Sequence, residues 1–237
     1  MKIYLDNNIL VSIEKNEIDF VPIMKDGRNF SFVYSYAHVQ ELLEAKNNFS
    51  ELKAVRLKTI KEIMNNVMIY PDGNEQVSHP ENIIQMLKMT SKIQENLRNV
   101  VNNFNPDRTK LIQKFGIDET RINNYDPEEL IKYINTALRS NLVIEFRDLV
   151  DLAGNSLRER ISTLFNLLDF VGFWKDKKTE RSNLARVYDS SHAFFASYCD
   201  IFISNDKRAR NKTKVAYSLY NIRTEVLSYS EFLGYKN

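Results

Sequence analysis

Two short apolar runs lie near opposite ends of this chain, Ile3-Tyr4-Leu5 and Ile201-Phe202-Ile203, and each stops at polar residues that lead into a helix pattern. Short runs that stay apolar without alternating read as strands covered on both faces, as in a parallel sheet. Phe30 to Tyr34 reads as another such strand, after which Ser35 opens a helix with Val39, Leu42 and Leu43 along one side. Toward the C-terminal end the pattern alternates again: a helix from about Ser190 to Tyr198, a strand at Ile201 to Ser204, a helix from about Asn211 to Tyr220, and a strand at Thr224 to Leu227. The expected fold is therefore α/β, with a central parallel sheet to which both ends of the chain contribute.

The segment between these ends reads differently. Residues 51 to 66 form a helix pattern through Leu52, Val55, Ile60, Ile63 and Met64, and Val67 to Tyr70 form a short strand stopped by Pro71-Asp72-Gly73. From about 80 to 175 the periodicity is helical. Pro80 precedes a helix carrying Ile83, Ile84, Leu87, Ile93, Leu97 and Val100, which Asn102 to Pro106 would end. Asp126-Pro127-Glu128-Glu129 combines an N-cap, a first-turn proline and acids that the helix dipole favours. Ser156 with Glu159 makes a capping box for another helix. The domain expectation is residues 1–75 and 180–237 as one α/β domain, with 76–179 as a helical subdomain inserted into it.

Composition narrows the chemistry mainly by exclusion. A single cysteine, Cys199, rules out an intrachain disulfide and a cysteine-based zinc site; in its apolar run it reads as a small buried hydrophobe. The start has no charged region followed by a long apolar stretch, and no apolar run reaches the roughly 18 residues that span a bilayer, so no signal peptide and no membrane partner are expected, and the location expected is cytoplasmic. Net charge is only +2, so nucleic-acid binding would depend on where charge is concentrated. Lys207, Arg208, Arg210, Lys212 and Lys214 form one dense basic stretch.

In a parallel sheet, ligands gather beyond the carboxyl ends of the strands. Asp6 follows the first strand and Asp206 the strand at Ile201 to Ser204. Glu41 lies on the helix after Ser35, and Asp189 is read as opening the helix that precedes Ile201. Four acids converging on one edge would repel each other unless a cation joined them. Oxygen ligands without histidine or cysteine suit Mg2+ or Mn2+, ions that bind phosphate oxygens and generate hydroxide from water. Ser204 and Asn205 beside Asp206, and Asn8 beside Asp6, are read as orienting groups. Lys207, Arg208, Arg210 and Lys212 are the candidates for substrate phosphate. His38 and His192 read as polar-core or surface histidines, and Asp200 as stabilising the turn into its strand.

These segments resemble the PIN-domain nuclease family, which includes the toxin ribonucleases of toxin-antitoxin pairs. Tyr4-Leu5-Asp6-Asn7-Asn8-Ile9-Leu10 resembles the family's opening motif, and Ser35 to Leu43 its second, a serine followed six residues later by an acid, Glu41. Asp189-Ser190-Ser191-His192-Ala193-Phe194-Phe195-Ala196 resembles the helix of the third acid, and Ile203-Ser204-Asn205-Asp206-Lys207-Arg208 the segment of the fourth. The 17-residue step from Asp189 to Asp206 also fits. The resemblance spans about 1–75 and 180–233 and leaves out the middle, which is much longer than the family's usual spacing. Asp148, Asp151, Asp169 and Asp176 are the competitors for the third acid, and Glu44 for the second.

The resemblance implies a PIN-like three-layer fold and a metal-dependent endoribonuclease with Asp6, Glu41, Asp189 and Asp206 as catalytic metal ligands. It implies RNA as substrate, a toxin or defence role, and a protein inhibitor of the antitoxin kind or a homodimer as partner. Two rivals stand beside it: a degenerate PIN module that binds RNA or a protein without cutting, and a structure-specific DNA nuclease. A phosphotransferase is disfavoured because position 8 is Asn, not a second carboxylate.

Overall fold

The computed structural model describes residues 1–25, 29–44, 49–89, 112–113, 116–140, 144–175 and 180–235. It is a mixed α/β structure in which contacts separate two compact units. The first comprises Met1–Glu95, Phe195–Lys207 and Thr224–Asn237, the second Asn96–Phe194 and Arg208–Arg223.

The first unit holds a four-stranded, all-parallel sheet built from β1 (Lys2–Leu5), β2 (Ser31–Val33), β5 (Ile201–Ile203) and β6 (Glu225–Leu227), in the order β2-β1-β5-β6. Ile3, Tyr4 and Leu5 pair in register with Ile201, Phe202 and Ile203, and all six are buried. That burial is why both central strands are apolar at these three paired positions. Helices α1 (Asn7–Glu14), α2 (Val21–Lys25), α3 (Tyr36–Leu43) and α4 (Phe49–Met64) contribute Ile9, Leu10, Ile23, Val39, Leu42, Ile60 and Met64 to the same core as Ile3, Leu5 and Ile203.

β3 (Val67–Ile69) is the expected short strand, and it pairs with β4 (Glu75–Val77), which was not expected. β4 is exposed at all three positions, so it carries no apolar signal in the sequence. The turn between them needs its glycine. Gly73 has φ +83, and a Cβ there would come within 2.7 Å of the Tyr198 ring. The helix from Pro80 is described as α5 (Pro80–Met89); its expected continuation through Ile93, Leu97 and Val100 lies outside the described residues.

The second unit is helical. α6 (Pro127–Arg139) begins where the sequence places it, with Asp126 and Glu129 in a reciprocal capping box, and it buries Leu130, Ile134 and Leu138 at four-residue spacing. α7 (Phe146–Asp151) follows. α8 (Leu157–Val171) starts at the Ser156–Glu159 capping box and ends at Gly172, whose left-handed backbone closes the helix.

Two helix starts differ from expectation. α9 runs Glu180–Ala196, so Asp189 lies well inside the helix and does not open it. An aspartate before a serine pair resembles an N-cap, but the charged residues ahead of it, Glu180 to Arg186, extend the helix with good formers. α10 begins at Lys207, four residues before the expected Asn211, so the basic stretch is helical from its first residue. A short helix, α11 (Tyr229–Leu233), follows β6. Among the described residues, no helix is long and apolar enough to cross a membrane.

Candidate functional site

The strand order fixes where a ligand would meet the sheet. From β1 the chain passes to β2 on one side, while β5 and then β6 lie on the other. The direction of winding therefore reverses between β1 and β5, and the crevice at their carboxyl ends is the topological switch point where open parallel sheets bind ligands. Asp6 leaves β1 there, and Ser204, Asn205 and Asp206 leave β5 there.

One hydrogen-bond network ties the two strand ends together. The Asp6 backbone N–H donates to Ile203 O at 2.8 Å, extending the parallel ladder by one residue. Asp6 Oδ2 then accepts from Ser204 Oγ at 2.6 Å and from Asn8 Nδ2. Asp6 Oδ1 accepts from the Asn7 N–H at 2.8 Å, so the residue also caps α1. Asn8 Oδ1 accepts from the Asn205 N–H at 3.0 Å, and Ser204 Oγ accepts from the Asp206 N–H at 3.1 Å. The serine hydroxyl thus points its proton at one acid while holding the backbone of the other. Asp6 is only 3% exposed, Ser204 is buried, and Asp206 is exposed. Asn8 and Ser204 orient Asp6, and Asn205 reaches the start of α11, just after β6, by accepting from the Tyr229 N–H at 3.1 Å.

The start of α3, the helix that carries Glu41, is anchored by a second network. Ser35 caps α3, and Tyr4 Oη lies 2.6 Å from Ser35 Oγ inside the core. His38, fully buried, completes the capping box. Its Nδ1 accepts from the Ser35 N–H at 3.0 Å, while Nε2 lies 2.7 Å from Leu5 O. A carbonyl only accepts, so Nε2 carries the proton and Nδ1 is the bare nitrogen. One imidazole therefore connects the start of α3 to the carbonyl that precedes Asp6. His38 is a polar-core histidine, and its positioning role was not visible in sequence because it depends on a partner 33 residues away. Burial holds the Tyr4 phenol well above its ordinary pKa; the Ser35 hydrogen bond opposes this, and the charges of Asp6 and Glu41 add to it. Glu41 itself is half-buried on α3.

The structure therefore joins Asp6, Asn8, Ser204, Asn205 and the Asp206 backbone, and it places Glu41 where its charge reaches Tyr4. Among the described residues, no three His, Cys, Asp or Glu side chains stand close enough together to hold a metal ion. The kind of donor does suit a hard cation, because Asp6, Glu41 and Asp206 offer only carboxylate oxygen. Asp189, half-buried on α9, belongs to the second unit.

The basic stretch divides. Lys207 and Arg208 are exposed and Arg210 is half-buried. Lys212 is 1% exposed and lies 3.3 Å from Asp169 Oδ1, so it is an interior group of the second unit and not a phosphate contact. The helix turns it inward because Lys212 sits one residue before Thr213 and three before Val215 on the buried face of α10.

Two competitors for the third acid are held by cations. Asp169 also pairs with Arg186 at 2.8 Å, and Asp151 with Arg160 at 3.3 Å while accepting from Tyr220 Oη. Asp176 lies outside the described residues. Asp200 accepts from the Lys2 N–H at 2.6 Å and ties β5 to the start of β1. Cys199 is buried, and burial pushes its thiol well above the ordinary value. Compared with known protein families, curated proteins and solved structures, the chain matches none.

Proposed function

We propose that this chain is a metal-dependent endoribonuclease of the PIN type, acting on RNA phosphodiester bonds at the carboxyl ends of β1 and β5. The observation that carries the reading is the Asp6–Ser204–Asn8 network at the switch point of the sheet. A carboxylate held by a hydroxyl and an amide at that edge has its direction fixed before any substrate arrives, which is how outer partners prepare a metal ligand or an electrostatic group.

In this reading Asp6, Glu41 and Asp206 are the carboxylates that would hold Mg2+ or Mn2+, and the ion would supply an activated water at neutral pH and a charge for the developing oxyanion. Ser204 and Asn8 keep Asp6 in one orientation. His38 and Ser35 hold the start of α3 and so the position of Glu41. Lys207 and Arg208 take the substrate's backbone phosphates without reading sequence. Asp189 enters as the fourth carboxylate through the family resemblance, as do RNA as substrate and an inhibitor as partner.

The rival reading is a module that binds RNA or protein without cutting, and it draws support from the lack, among the described residues, of three gathered ligand side chains. The deciding experiment incubates wild type, Asp6→Asn and Asp189→Asn with labelled RNA and labelled DNA, in Mn2+, Mg2+ or chelator. RNA cleavage that needs the metal and is lost in Asp6→Asn supports the proposal. Cleavage indifferent to chelator or to Asp6→Asn overturns it, cleavage of DNA alone transfers it to a DNA nuclease, and no cleavage of either leaves the binding module. Activity retained in Asp189→Asn would remove that residue from the site.

A further inference from the structure

Five non-glycine residues among those described have a left-handed backbone, and four of them are asparagines, at positions 16, 65, 66 and 221. Asparagine tolerates this region through its short, locally bonding side chain. The fifth is Trp174, with φ 45, and a bulky residue there is an outlier that its surroundings must enforce. The enforcing contacts come from both flanks. The Trp174 N–H donates to Asn123 Oδ1 at 2.7 Å, Lys175 Nζ pairs with Glu119 at 3.0 Å, and Gly172, φ 97, ends α8 two residues earlier.

The neighbouring Phe173 is 2% exposed and fills the interior, whereas Trp174 is half-buried and lines an open cleft of about 450 Å³. The other lining residues are Glu119, Thr120, Asn123, Gly172, Lys175 and Arg208, all within the second unit. The cleft thus presents one large aromatic ring, the exposed Arg208 guanidinium, a Lys175–Glu119 ion pair, and hydroxyl and amide groups suited to hydrogen-bonding base edges. A volume of this size falls in the range of small-ligand pockets. A stacking ring with flanking cations is how proteins take single-stranded nucleic acid, because every base has a π-face and every link a phosphate.

Resting on the nuclease reading and deepening it, we infer that the Trp174 cleft is a subsite for one unpaired nucleotide of single-stranded RNA. The base stacks on the Trp174 indole, and the adjoining phosphate is held by Arg208, while Lys175 stays on Glu119. Base-paired RNA, whose bases already stack on each other, is excluded from it.

Trp174 is the chain's single tryptophan, so its emission reports on this cleft alone. The test titrates the full chain, in chelator so that RNA stays intact, with single-stranded oligoadenylate, the DNA equivalent and duplex RNA. Affinity is followed in parallel by anisotropy of a dye-labelled strand. The expected result is saturable quenching by the single strands and not by the duplex, with the DNA arm showing whether the sugar matters.

Trp174→Gly suits the left-handed backbone, and a retained cooperative melting transition shows that the variant is folded. Its affinity should drop about 5- to 150-fold, the loss of one stacked base. Arg208→Ala should weaken binding and reduce the salt slope by about 0.7, one single-strand phosphate. Unchanged emission on binding, equal quenching by duplex, wild-type affinity in both variants, or no binding at all overturns the subsite. Quenching without any metal-dependent cleavage leaves the subsite standing and sinks the nuclease reading; cleavage without quenching does the reverse.

Discussion

Two carboxylates in this molecule are held by opposite means. In the first unit Asp6 accepts from a serine hydroxyl, an asparagine amide and a backbone N–H. In the second unit Asp169, on α8, faces Arg186 from α9 and Lys212 from α10. The cations lock three helices together around a charge, whereas neutral donors fix a direction without themselves cancelling one. The Asp169 arrangement belongs to folding. The Asp6 arrangement lies at the switch point of a parallel sheet, where we propose that it serves a ligand.

The comparison breaks most visibly through Asp169. Asp169→Ala removes the carboxylate from a lysine that is 1% exposed, and loss of one member of a buried charge cluster costs about 3–5 kcal/mol. Urea denaturation should show that loss. Asp169→Asn combined with Lys212→Met should recover most of it, because the interior then carries one charge fewer of each sign. If Asp169→Ala costs under about 1 kcal/mol, the cluster is not the lock described.

Ser204→Ala is the smaller, complementary change. It withdraws the hydroxyl proton from Asp6 and the acceptor from the Asp206 N–H, so RNA cleavage should fall by about 10- to 100-fold, the usual cost of losing an orienting partner. Unaltered cleavage together with lowered stability would make Ser204 a folding residue like Lys212.

The smallest effect is a pH dependence in the second unit. Glu159 is held below its ordinary carboxylate value by the N–H groups of Asn155 and Ser156 and by the Ser156 side chain. A depressed folded value means that the contribution is present above the unfolded value, about 4.3, and is lost as pH falls through the lower folded one. Wild type should therefore lose slightly more stability than Glu159→Gln on acidification through that window. Parallel curves would remove this cap from the pH response.

The same contrast explains what could be read from sequence. Ile3-Tyr4-Leu5 and Ile201-Phe202-Ile203 declared themselves as buried parallel strands because both faces are covered, and Asp6, Asn8 and Ser204 were legible because they sit where those runs stop. The capping boxes at Asp126 and Ser156 were legible because their partners lie three residues away. What lay hidden depends on distant partners. Lys212 looked like surface charge until Asp169, 43 residues earlier, brought it inside. β4 is polar and exposed, and the interior position of Asp189 follows from charged residues that read as surface but continue the helix.

The most direct test of the central claim, that the ends of β1 and β5 form a divalent-cation centre, is anomalous scattering from crystals of wild type and Asp6→Asn soaked in Mn2+. The account predicts an anomalous peak at the Asp6 carboxylate in wild type and none there in the variant. A peak that persists in Asp6→Asn, or Mn2+ bound only away from Asp6 and Asp206, would contradict it.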